Sequence, residues 1–213
     1  MISKKVAKKN KTTEDVLLIL CKAVQKILTQ TTNNDIHYSP MVQKITKTCL
    51  KPDIGCFVLF EGAFSGLIII NMSSGAALEI YQAYMQQMGF SHDEISDQHT
   101  SDDVSNVLGE LMNQIVGDFQ GELEHQLSLS ISQTQPKMLV VNKELILSIN
   151  ANIERPQSRR VVFRTSNHKT FNLEMSMERT EFIELDDPGN TGFSDSNLTK
   201  DEQNQAFLDD LDI

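Results

Sequence analysis

The chain has 213 residues, 39% of them hydrophobic and 23% charged, with no tryptophan and a formal charge of −10. That suits one folded domain plus tails and excludes collagen-like, disulfide-framework and wholly disordered classes. No apolar run approaches the ~20 residues of a membrane span, and a body this acidic repels a phosphate backbone, so neither membrane insertion nor nucleic acid is expected.

The lysine-rich start is interrupted by Thr12, Thr13, Glu14 and Asp15 before any apolar stretch, which argues against export. Those four residues also cap and acidify a helix expected over 13–30, with Val16, Leu20, Ala23, Val24 and Ile27 at helical spacing. Asn33, Asn34 and Asp35 break it, and Ser39-Pro40 predicts a further short helix through Ile45. Two apolar runs at 55–60 and 66–72 predict a hairpin. Ser73 or Ser74 then caps a helix carrying Ala77, Ile80, Tyr81, Tyr84, Met85 and Met88 on one side, stopped by Gly89.

A helix capped by Ser101 follows, and after it alternating segments at 127–131, 145–153, 161–164 and 171–177 predict strands. The expected class is α+β, an antiparallel sheet with long helices packed on it. Residues 1–11, with five lysines and no acid, are expected to be a basic disordered arm. The domain proper is expected over 12–185, and 186–213, with eight acids against Lys200, as an acidic flexible tail. Cys21, Cys49 and Cys56 form no C-x-x-C pair and fit buried thiols in a reducing cytoplasm.

The helix after Ser101 carries the strongest signal. Val104, Val107, Leu108, Leu111, Met112, Ile115 and Phe119 follow i, i+3, i+4, i+7 and must face the core. At about 100° per residue the opposite stripe collects Asn106, Glu110, Asn113, Gly117 and Gln120. Gly117 leaves that stripe bare, at a helix-interior cost of ~1 kcal/mol unless close approach offsets it.

Glu110-x-x-Asn113, followed after 22 residues by Pro136, resembles the signature of the CheC/CheX chemotaxis phosphatases, which dephosphorylate the response regulator CheY. With 14 Glu and 14 Asn, chance alone supplies about one E-x-x-N pair, but a proline at fixed distance lowers the expectation to ~0.02. The run from Asn106 to Gly117 is similar to that family's active-site helix. Asn106 stands where the family usually has Asp or Ser, and the leading helix lacks the second E-x-x-N of CheC-type members, so the likeness is to CheX.

The resemblance implies catalytic roles for Glu110 and Asn113 and receiver contacts for Asn106, Gly117 and Gln120. It also implies a phosphorylated CheY-like response regulator as partner, a homodimer, and no cofactor of its own, Mg²⁺ being held by the partner receiver. Chemistry gives these residue types a reason: an aspartyl phosphate beside Mg²⁺ is already activated, so a helper need only place a water in line. A carboxamide such as Asn113 does that, while Glu110 engages a cation of the receiver.

Phe207, Leu208 and Leu211 share one side of a possible short acidic helix in the tail, which resembles the peptides by which flagellar switch proteins such as FliM and FliY recruit phosphorylated CheY. It is expected to tether the regulator. His92, Asp93, Glu94, Asp97 and His99 form the one cluster of metal-ligand types, read as a polar loop. The competing function is a non-catalytic binding or flagellar-switch adaptor, since fold does not fix function.

Overall fold

The computed structural model describes residues 10–147 and 156–183. Helix α1 (Thr13–Thr32) opens with the Thr12 N–H donating to Asp15 Oδ2 at 2.9 Å and ends at Asn33 in the left-handed region, φ 51°. Strands β1 (His37–Tyr38), β2 (Gln43–Ile45) and β3 (Thr48–Leu50) follow, then the hairpin β4 (Ile54–Gly62) and β5 (Gly66–Met72). Helix α2 (Ser74–Gln87) is capped by Ser73 Oγ, which accepts from the Ala76 N–H, and the chain leaves it through Gly89 at φ 90°.

After a 3₁₀ turn at His92–Glu94 comes α3 (Asp102–Leu127), then β6 (Ile131–Gln133), β7 (Lys137–Val140), β8 (Leu145–Leu147), β9 (Gln157–Arg164) and β10 (Thr170–Met177). The class is α+β with an antiparallel sheet, as expected. Two local expectations fail. Residues 39–45 form no helix: the Ser39 N–H continues the sheet by donating to Val162 O at 2.8 Å, and Gln43–Ile45 pair with β9. Ser39 Oγ accepts from the Met41 N–H at 3.1 Å, so the capping-like serine closes a turn instead.

The strand expected at 127–131 begins only at Ile131. Phe119, Leu123 and Leu127 prolong the apolar stripe of α3, and Ser128 ends the helix at φ 53°. Strands β3 and β7 had no expectation at all.

Among the described residues the element order repeats, a helix followed by five strands twice over, with α2 between: α1 with β1–β5, then α3 with β6–β10. The sheet runs β1-β9-β10-β5-β4-β6, with β2 also on β9, β7 also on β4, and β3 paired to β8 apart from it. Each half therefore lends its first strands to the other half's hairpin, and β5 and β10 meet in the middle, Leu173 opposite Ile70.

The helices cover one face of the sheet. Their buried Val16, Leu20, Val24, Leu108, Met112 and Phe119 close on Val58, Ile68, Ile70, Phe163 and Leu173. On the other face a smaller cluster of Leu50, Leu67, Ile69 and Val141 lies against Phe57. Gly55 permits this approach, because a Cβ there would fall 2.4 Å from Leu50 Cδ2. Fully buried Glu174 is paired with Arg160 at 2.8 Å and accepts the Cys49 N–H at 3.0 Å, which offsets its desolvation.

All three cysteines are buried free thiols, and burial pushes Cys21 and Cys56 up to about 12. Among the described residues no helix is long and apolar enough to cross a membrane. Phe207, Leu208 and Leu211 lie outside the described residues.

Candidate functional site

α3 presents its polar stripe beside the link from β6 to β7. Two features bring that link there. Thr134 is clamped to β4, its N–H donating to Leu59 O at 2.9 Å and its Oγ1 accepting the Leu59 N–H at 3.1 Å. Past Pro136, β7 pairs with β4 with Met138 opposite Cys56. Met138 thereby packs on the core that also holds Leu108, Leu111 and Met112 of α3. Pro136 has no N–H to leave unpaired, which suits entry to an outer strand.

The result is a cleft of about 510 Å³ lined by Ser105, Asn106, Gly109, Glu110, Asn113, Gln135, Pro136 and Met138. The structure thus brings together Asn106, Glu110, Asn113 and Pro136, which the sequence singled out. It adds Ser105, Gly109, Gln135 and Met138, which sequence reasoning missed. Gly109 had a signal, sharing the stripe of Asn106 and Asn113; the space above it holds Met138 Cγ at 3.6 Å from a built Cβ, so a larger side chain would fill the cleft floor.

Gly117 and Gln120 fall outside the cleft. Among the described residues nothing lies within 4 Å of a Cβ placed on exposed Gly117, so their packing does not offset its cost in the helix. Gln120 is half-buried, and its Nε2 donates to Ile131 O at 3.1 Å, tying β6 to α3.

Glu110 and Asn113 are both exposed, one turn apart. Gln114 Nε2 donates to Glu110 Oε1 at 3.1 Å, steadying the carboxylate. Among the described residues nothing hydrogen-bonds the Asn113 carboxamide. Among the described residues Glu110 is the one charged group of the lining. Amides, a hydroxyl and a carboxylate without a cation among them hold a free phosphate poorly and suit a cationic group.

Among the described residues no three His, Cys, Asp or Glu side chains gather to hold a metal. In the 92–99 loop Glu94 is occupied instead, accepting from the Ser91 N–H at 2.9 Å and Oγ at 2.8 Å, bonds that keep its carboxyl below the usual range.

A family model described as "Protein of unknown function (DUF3334)" matches residues 7–210. The chain belongs to the DUF3334 family. No curated protein matches it. Solved structures do resemble this DUF3334 chain. The chemotaxis protein CheX from Desulfovibrio desulfuricans superposes with a TM-score of 0.63 at 18% identity, over 77% of this chain and 99% of that one. CheX from Vibrio vulnificus gives 0.63 at 15% identity over 77% and 99%. The CheX-CheY-BeF3-Mg complex from Borrelia burgdorferi gives 0.57 at 20% identity over 78% and 99%. At such identities the likeness establishes the fold, a CheX/CheC-like α+β domain.

Proposed function

We propose that this protein acts on a CheY-type response regulator, hydrolysing its aspartyl phosphate in chemotaxis or a related two-component circuit. The observation that carries this reading is the meeting of Glu110, Asn113 and Pro136 in one open cleft. The fold shared with CheX proteins, one of them solved with CheY, supports it.

Asn113, unencumbered by internal bonds, orients the attacking water through its carboxamide in line with the phosphorus, as an amide orients water in small GTPases. Glu110 takes the receiver's phosphate-site lysine, freeing the phosphoryl group for attack. The receiver brings the Mg²⁺ that neutralises developing charge, which is why the cleft needs no cation. Asn106 and Ser105 together supply the polar rim where related proteins use Asp or Ser. Gly117 admits the receiver close to the helix, and the tail segment with Phe207, Leu208 and Leu211 raises its local concentration.

The test is phosphate release from an acetyl-phosphate-charged, Mg²⁺-loaded receiver of the same organism. Acceleration by wild type that disappears in Asn113→Ala, with receiver binding retained, supports the phosphatase. An adaptor would bind without acceleration and be indifferent to the substitution.

A homodimer belongs to the same proposal. Leu59 on β4, Leu139 on β7 and Leu145 and Ile146 on β8 are 39–58% exposed, apolar side chains that a second copy would cover. Light scattering should report a dimer in wild type and a monomer in Ile146→Asp; a monomeric wild type removes the idea.

A further inference from the structure

At the sheet edge opposite the α3 cleft, β1 pairs with β9 so that His37 stands across from Arg164. The chain then turns through residues 165–169 into β10, and the turn is fixed from several sides. The His168 N–H donates to Thr165 O at 3.0 Å, and Thr165 Oγ1 donates to Glu79 Oε2 of α2 at 2.9 Å. Ser166 Oγ accepts the Asp35 N–H at 2.9 Å. His168 is held in the left-handed region, φ 60°.

The turn and β1 enclose a cleft of about 620 Å³ whose lining includes His37, Tyr38, Ser39, Arg164, Ser166 and His168. Among the described residues the side chains of His37, Arg164 and His168 have no hydrogen-bond or ion-pair partner. The contrast with the same strand is sharp: Arg159 is paired with Glu14 at 2.7 Å and Arg160 with Glu174 at 2.8 Å. In a chain of charge −10, one permanent cation and two imidazoles, all three exposed, share this cleft with the Asp35 carboxylate and leave their donors free for an acceptor.

We propose that this cleft binds a small phosphate monoester. Arg164 supplies the fixed charge and forked donors that match phosphate oxygens. His37 and His168 donate ring N–H groups, and the Ser39 hydroxyl completes the surround. The volume leaves room for an organic substituent beyond the phosphate. The other ionisable groups here are the Asp35 carboxylate, which lines the cleft, Glu79, already held by the turn, and Lys169, which follows it.

The experiment uses the full chain in solution, following backbone amide resonances of residues 37–39 and 164–169 while glycerol 3-phosphate, inorganic phosphate or sulfate is added. Expected are saturable shifts with Kd on the order of millimolar and glycerol phosphate bound at least as well as inorganic phosphate. Affinity should fall about tenfold in Arg164→Gln. It should fall severalfold in His37→Gln combined with His168→Asn, asparagine being tolerant of the left-handed backbone. No saturable shift, or shifts unchanged in Arg164→Gln, overturns the site. Exclusion of glycerol phosphate while inorganic phosphate binds overturns the monoester, and an affinity unchanged in the double histidine variant overturns the role of the histidines.

Discussion

α1 and α3 superimpose in pattern when offset by 88 residues: buried Val16, Leu20, Val24 and Leu28 correspond to Val104, Leu108, Met112 and Val116. At that offset Lys22 and Gln25 stand where α3 has Glu110 and Asn113, while Ser39-Pro40 and Gln135-Pro136, each a short way past its helix, lie 96 residues apart. The scaffold is built twice, but its polar stripe has been put to different uses. Gln25 spends its amide inside the fold, Nε2 donating to Ile36 O at 2.7 Å, whereas the Asn113 amide is open. Lys22 reverses the sign of Glu110, and exposed Leu18 replaces Asn106. Packing fixes where such a cleft can be; three or four exposed side chains determine what it does there.

The comparison is broken most severely by one substitution. Asn113→Ala should remove the acceleration of receiver dephosphorylation, about 10²-fold or more, while Gln25→Ala leaves it within about twofold; phosphate-release kinetics on the two variants decide whether the halves differ in function at all. Next in size, Glu110→Ala should weaken binding to an activated receiver about tenfold and Lys22→Ala should not, as calorimetric titration would show. Removal of residues 190–213 should raise KM severalfold through lost effective concentration with kcat intact, and unchanged kinetics would detach the tail from the α3 cleft.

In stability the order of the halves inverts. Gln25→Ala should cost about 1 kcal/mol in urea unfolding through the Ile36 carbonyl it leaves unpaired, and Asn113→Ala less than about 0.5. The smallest effect is with acid. The Arg159 bond holds the exposed Glu14 below the usual carboxylate range, and the Ser74 N–H does the same for Asp53. Carboxyls lowered on folding stabilise above their unfolded values, and that share is lost as pH falls through the lowered ones. Stability should therefore decline below about pH 4. Arg159→Gln should shrink the decline, and an unaltered acid limb would show the pair contributes nothing measurable.

How much of this was legible in the sequence differs between the halves for physical reasons. Local signals are legible where one element carries them: a cap at Ser73 or Ser74, the cap at Ser101, the helix break at Asn33, Asn34 and Asp35, and the stripe that places Glu110 and Asn113 on one face. Pairing between distant segments was not. β7 follows a proline, shows no alternation, and exists because β4, about 80 residues earlier, offers an edge; without it Met138 and Gln135 cannot be placed at the site. Ser39-Pro40 looked like a helix start because the deciding partner, Val162, is far along the chain. The internal repeat escaped because the halves share a burial pattern rather than residues.

The exchange of outer strands between the halves governs how the chain reaches this state. When β4 and β5 leave the ribosome, their sheet neighbours β6, β7 and β10 have yet to be made, and β1 and β2 wait for β9. Both flanks of the first hairpin are therefore open to other strands until the last one is synthesised, and the long loop closures fall late. Cleavage between α2 and α3 would give fragments that each lack strands only the other can supply, so such pieces fold by reassociation rather than alone.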